Sequence, residues 1–219
     1  EEAEAACPWY MAGTLGTSIA LDSDIKDSNG ASFKFKAGVG FNLGVGYAFN
    51  KYFAVEIHSG FVWNSLDSVP SYNLGPPSGF KSTVSGGDGN LYQVPLTTDL
   101  VVSIPISDNF SIGLLGGVGM QWTKFKVSNI GLLNQASADV GTLGFNSDSV
   151  AFRYNFGLRF AHQIAHNVRV GGGFLFSGTT EVQLGKGTYT YNTGGSAEGN
   201  VDVNLRRILN ISIGAGVSI

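Results

Sequence analysis

The chain has 219 residues, a net charge of −3 at pH 7, 13 % charged residues, 43 % hydrophobic residues and 32 glycines. Soluble domains carry about 25 % charged residues, so this depletion argues against a water-covered globule, and the lack of a basic stripe argues against a nucleic-acid partner. No apolar run approaches the roughly 18 residues of a membrane helix, so a chain of this kind that crosses a bilayer must cross it with strands.

Residues 1–8 read as a short acidic, alanine-rich lead, with Glu1 expected to follow a processed export signal. Cys7 is the only cysteine, which excludes an internal disulfide, and the residues before it do not fit a lipid-attachment site. Residues 9–219 read as one domain. The first strand, 9–19, sets Trp9, Met11, Leu15 and Ile19 against Tyr10, Ala12, Thr14, Gly16 and Ser18, and the polar stretch 21–32 reads as a loop. Residues 33–49 then alternate for longer than any other stretch. Phe33, Phe35, Ala37, Val39, Phe41, Leu43, Val45, Tyr47 and Phe49 share one parity, and lysines, glycines, an asparagine and an alanine share the other. Successive strand side chains point to opposite faces, and a tilted strand needs about 9–11 residues to cross hydrocarbon.

Asn50-Lys51 reads as a tight turn before the strand 52–65, whose inward set includes Glu56 and His58. A long loop is expected over 66–90. The strand 91–104 follows, with Gln93, Thr97 and Asp99 inward and Pro95 predicting either a bulge or a missing ladder bond. After a turn at 107–109 comes the strand 110–123, then an expected loop over 124–149 in which 130–133 is open to a helical or strand extension. The strand 150–164 carries Arg153 and Arg159 inward. A turn at 165–167 leads to the strand 168–177, an expected loop over 178–202 with a strand extension open around Val182 or Tyr189, and the last strand, 203–219. Connections thus alternate long and short. With a dyad period, this predicts an all-β fold, an eight-stranded antiparallel up-and-down transmembrane β-barrel with tight turns at one end and large loops at the other. Backbone groups in lipid must all be paired, which requires the sheet to close.

The glycine-rich face is too small to cover a water-facing exterior but suits a narrow lumen, so the aromatic face is read as facing lipid. Two interfacial belts follow. Tyr47, Phe49, Phe53 and Phe110 lie near the turns, and Phe33, Phe35, Trp63, Tyr92 and Trp122 lie near the loops, with Trp9 a further interfacial aromatic. Glu56, His58, Asp99 and Arg159 fall at similar depth inside the barrel. Charges in so narrow a space must be paired, which predicts a structural ion pair of Arg159 with Glu56 or Asp99. Lys34, Lys36, Arg153 and Arg206 are expected to leave the upper lumen basic. No catalytic set, metal site or cofactor is expected.

Trp9-Tyr10 with Gly13 and Gly16, the stretch GFNLGVGY over 40–47, Val55-Glu56, Val94-Pro95-Leu96 and the GGVG of 116–119 resemble the small outer-membrane β-barrel family of the OmpA membrane domain, OmpX and the opacity proteins. The resemblance spans nearly the whole chain from Trp9. It also suggests an ion pair plugging the lumen. It implies an integral bacterial outer-membrane protein, though this fold hosts adhesins, anchors and enzymes alike. An eight-stranded interior is just filled by side chains, so a monomeric, packed barrel rather than a general pore is expected, and long loops on a rigid scaffold point to a surface-exposed structural or interaction protein. Its expected partners are outer-membrane lipid, lipopolysaccharide, and a protein held by loops 66–90, 124–149 and 178–202. A lipid-modifying enzyme and a barrel subunit of a larger envelope complex are the alternatives. The family usually ends on an aromatic residue, whereas this sequence ends at Ile219, and peptidoglycan anchoring by this chain is not expected.

Overall fold

In the computed structural model the described residues are 8–24, 32–68, 81–82, 88–133, 139–183, 187–192, 194, 196–199 and 204–219. Cys7 and the lead before it lie outside them. Eight long strands form the frame: β1 (Trp9–Ala20), β2 (Gly38–Ala48), β3 (Phe53–Ser68), β4 (Asp88–Ser107), β5 (Phe110–Leu133), β6 (Asp139–Ala165), β7 (Val168–Thr179) and β8 (Leu209–Ser218). Each pairs antiparallel with its neighbours in sequence, and β1 pairs with β8, so the sheet closes into a ring. Followed around the ring, the rungs run Tyr10, Gly46, Glu56, Asp99, Gly117, Asn155, Ser177 and Asn210, and return to β1 at Ala20, ten residues beyond the start. Closure with such a stagger forces the strands to tilt by about 35–45°.

The three tight turns fall where turn-forming residues interrupt the alternation. At the first, Asn50 Oδ1 accepts the backbone N–H of Tyr52 (2.8 Å) and of Phe53 (3.0 Å), which replaces the ladder bonds lost at the reversal. Pro95 is accommodated without a bulge. The β3–β4 register is continuous from Ser59–Leu96 to Val62–Gln93, and only the rungs between them are absent. Of the two ways to seat a proline without an N–H, the fold uses the missing bond.

The longest alternating stretch is not one strand. A short strand, Ser32–Phe35, precedes β2, and the chain spends one extra residue at Lys36-Ala37, because Phe35 pairs with Leu66 while Val39 pairs with Trp63. An extra residue reverses the facing of everything before it. Phe33 and Phe35 therefore turn inward, with Phe33 only 2 % exposed, and the loop-end belt expected from them is corrected.

The loop end carries more strand than expected, including strand at 130–133 and around both Val182 and Tyr189, where the sequence leaves extensions open. The expected loop 124–149 is largely a continuation of β5 and β6, which stay paired from Lys124–Asp148 to Leu133–Asp139. Within it, Asn129 takes a left-handed conformation (φ 60°) at a register shift that brings Ile130 inside. The expected loop 178–202 contributes the strands Val182–Gln183, Gly187–Tyr191 and Ser196–Gly199. The second of these pairs with β6 over Gly141–Phe145. The expected loop 66–90 begins and ends as strand, at Ser68 and Asp88.

These additions close over an apolar core made of Phe33, Leu66, Leu91, Phe125, Val127, Ile130, Leu143, Phe145, Val182, Tyr189, Leu205 and Ile208, with Ala20 and Ala151 beneath. Phe33 and Phe35 meet Phe125 edge to face at 5.1 and 5.9 Å between ring centres. We call this region the cap.

Candidate functional site

The lumen is layered, and each layer follows from which inward positions the strands supply. At the turn end Ala54, Val101 and Leu115, with Tyr10 and Ala48 against them, form a small apolar floor. Above it lies an ion cluster centred on Glu56, which is fully buried. Arg159 reaches across from β6 and grips the carboxylate with two bonds, Nη1 to Oε1 at 2.7 Å and Nη2 to Oε2 at 2.8 Å. Tyr10 Oη donates to Oε1 at 2.6 Å, and His58 Nε2 donates to Oε2 at 2.5 Å. His58 also stands 3.8 Å from Asp99 Oδ2, so the imidazole sits between the two carboxylates that the register places opposite each other. Of the two partners open to Arg159 in the sequence, the structure gives it Glu56.

Glycine makes this cluster possible. A Cβ on Gly46 would fall 2.2 Å from the Tyr10 ring, and one on Gly44 would fall 2.4 Å from His58. The glycine face of β2 is thus the bed on which both rings lie. A bidentate arginine and two further donors occupy the Glu56 carboxylate, so the arrangement holds charge rather than exchanging protons with a substrate.

The next layer is a chain of amides. Asn210 Nδ2 donates to Gln93 Oε1 at 2.8 Å across the lumen, Gln121 Nε2 donates to the same oxygen at 2.9 Å, and Arg153 Nη1 donates to Gln121 Oε1. Asn64 Nδ2 binds the carbonyls of Ser18 and Lys36 at 2.9 and 3.1 Å. In the sequence Gln93 and Gln121 both fall on the inward parity of their strands, which by itself assigns them no role. The usable signal was their height, since they face the same side of adjacent strands two residues apart in register.

Above the amides the cap begins, and the expectation of a basic upper lumen is corrected. Arg153 is inside and only 4 % exposed, but Lys34 and Lys36 stand outside because of the bulge, with Lys36 Nζ 4.0 Å from Asp67 Oδ1. Arg206 is exposed, and its backbone N–H donates to Asp24 O. Inside the cap, burial, with Tyr191 nearby, pushes the Tyr189 phenol above its ordinary pKa.

The interfacial aromatics face outward. Trp9 is 60 % exposed and meets Tyr47 edge to face, which in turn meets Phe49; Phe53, Trp63 and Trp122 are also exposed, and Tyr92 is half-buried. Trp63 Nε1 donates to Asn90 Oδ1 at 2.9 Å at the loop-end rim. Among the described residues no group of three or more His, Cys, Asp or Glu side chains is placed to hold a metal ion. His162 and His166 are exposed at the last tight turn.

The lumen is not filled throughout. Where β7 and β8 present glycine inward, a cavity of about 130 Å³ remains beside the ion cluster.

A family model described as outer membrane protein beta-barrel domain matches residues 2–193. Strand β8, which closes the ring, lies beyond the matched segment. No curated protein matches the chain. Among solved structures, Neisserial surface protein A is similar at TM-score 0.50 and 13 % identity, covering 99 % of each chain. OprG from Pseudomonas aeruginosa is similar at TM-score 0.52 and 18 % identity, covering 96 % of this chain and 95 % of its own. The outer membrane protease OmpT from Escherichia coli is similar at TM-score 0.51 and 10 % identity, covering 99 % of this chain and 98 % of its own. At these identities the likeness concerns the fold.

Proposed function

This chain belongs to the outer membrane protein beta-barrel domain family, and from that premise we propose that it is a surface-exposed structural and interaction protein whose barrel mounts a binding platform outside the cell. The observation that carries this reading is the cap. Strands β5 and β6 run far past the outward aromatic Trp122 and gather the shorter strands over a buried apolar core. A barrel that only needed to close its loop end could do so with short connections, whereas a folded outer platform holds loop residues in fixed positions, as binding surfaces on rigid scaffolds require. Tight turns face the periplasm and loops face outward in such barrels, so the cap is extracellular. The chain reaches that membrane as an exported protein.

In this reading the protein is not an enzyme. The Glu56 carboxylate is saturated by donors and shut beneath the cap, which speaks against an acid–base role. The platform would meet a protein partner through segments 66–90, 124–149 and 178–202, and the barrel wall would meet outer-leaflet lipid, lipopolysaccharide included. The experiment is capture from native outer membranes with the intact protein and with a variant whose 124–149 hairpin is replaced by a short turn. A partner retained by the first and lost by the second supports the reading. Equal recovery, or release of acyl chains from labelled lipopolysaccharide by the purified protein, would replace it with the envelope-subunit or lipid-enzyme alternative.

A further inference from the structure

We propose that the lumen is a hydrated chamber entered from the turn end and stoppered by the apolar cap, so that displacing the cap opens a path for small hydrated ions. The inference goes beyond the platform reading and does not depend on it. It begins with the asymmetry of the wall. Strands β3, β4 and β6 send Glu56, His58, Asp99 and Arg159 inward, whereas β7 and β8 send Gly171, Gly173, Gly214 and Gly216, with Leu175 and Ser212 next to them. Bulky residues on one side and glycine on the other leave the cavity of about 130 Å³ against the glycine wall, past the ion cluster rather than through it.

The lining is apolar over most of its area, but polar side chains are set into it. Asp99 Oδ1, Arg153 Nε and Asn155 Oδ1 are buried with no hydrogen-bond partner among the described residues, and all three side chains line the cavity. Orphaned polar atoms are costly unless water meets them. A cavity needs roughly 10–15 Å³ of this measure to hold one water, so there is space for several. The lining continues from Ser212 to Ser218 and to Arg169, whose side chain faces the lumen and is exposed at the turn end. In the other direction it stops at the Gln93, Gln121 and Asn210 layer, above which Leu91, Phe125 and Ile208 offer no polar atom to water. The barrier to an ion is therefore the dry cap, since charge is expensive where it is neither solvated nor paired.

The test uses full-length protein in planar bilayers and proteoliposomes. Wild type is expected to give a flat baseline, and the double variant Leu91→Ala with Phe125→Ala discrete conductance steps, while Glu56→Gln stays closed. A double variant that keeps heat-dependent gel mobility yet remains silent would overturn the proposal, as would steps from wild type or from Glu56→Gln matching those of the double variant. A second arm keeps the cap intact. With Cys7→Ser as background, Thr14→Cys places a thiol on the cavity wall, where a small cationic thiol reagent should modify it from the turn side only. Resistance from the turn side, or equal labelling from the loop side, would sink the idea even if the double variant failed to fold.

Discussion

The barrel and the cap solve opposite problems with the same strands. On β5 the inward positions read Gly117, Gly119, Gln121 and Thr123 within the barrel, then Phe125 and Val127 within the cap; the outward positions read Val118, Met120 and Trp122, then Lys124 and Lys126. From Gly117 to Val127 the facing does not change, but the solvent does. Where lipid surrounds the strand, apolar side chains go out and polar groups are gathered inside, and where water surrounds it the assignment reverses. Alternation alone therefore specifies a strand, and the sense of the alternation specifies what lies outside it.

The sharpest way to break this contrast is to cut into each interior. Phe125→Ala removes the ring that Phe33 and Phe35 pack against and should destabilise the cap by about 3–5 kcal/mol. Limited proteolysis should then cleave the loop end while the barrel keeps its folded gel mobility. Arg159→Ala acts on the other interior. It leaves Glu56 buried without its cation and should also cost about 3–5 kcal/mol. Urea unfolding in lipid vesicles measures this, and Glu56→Gln combined with Arg159→Leu should recover much of the loss, because no isolated charge is then left.

A charge placed outside tests the exterior directly. Leu43 is 62 % exposed on the barrel wall, so Leu43→Arg should cost about 2–4 kcal/mol if it lies near the bilayer centre. Thr188→Arg on the outer face of the cap should change stability by less than about 0.5 kcal/mol. Equal costs at the two positions would show that one solvent surrounds both. Gly46→Ala should cost about 1–3 kcal/mol, since the added methyl meets the Tyr10 ring and pushes its hydroxyl from Glu56. Loss of Tyr10 quenching or shifts in its ring resonances would follow the displacement. A similarly small effect is expected at Lys36→Ala, where an exposed ion pair with Asp67 contributes about 0–1 kcal/mol.

Much of the barrel was legible because its rules are local. Two-residue interruptions such as Asn50-Lys51 marked the tight turns, and the glycine parity of 38–46 marked the lumen face. The cap was less legible for an equally local reason. Lys124-Phe-Lys-Val127 alternates as regularly as the strand before it, but with hydrophobicity on the opposite parity, so it reads as the end of the lipid pattern rather than as more strand. The displaced Lys34 and Lys36 had no local signal at all, because a bulge at Lys36-Ala37 is decided by register against β3. In the ion cluster the members could be listed from their inward parity, but the choice of Glu56 over Asp99 for Arg159 depends on the stagger of the closed ring.

The amino-acid sequence by itself determined that this chain is strand throughout its long alternating stretches, that eight of them close a sheet, and that apolar residues face out over most of their length. Those properties follow from a period of two and from the need to pair every backbone group in lipid. Only the tertiary structure decided the layering of the interior, the apolar stopper at its outer end and the cavity along its glycine wall. These depend on which residues of distant strands reach the same height, and that height is fixed by a ten-residue stagger accumulated around the whole ring.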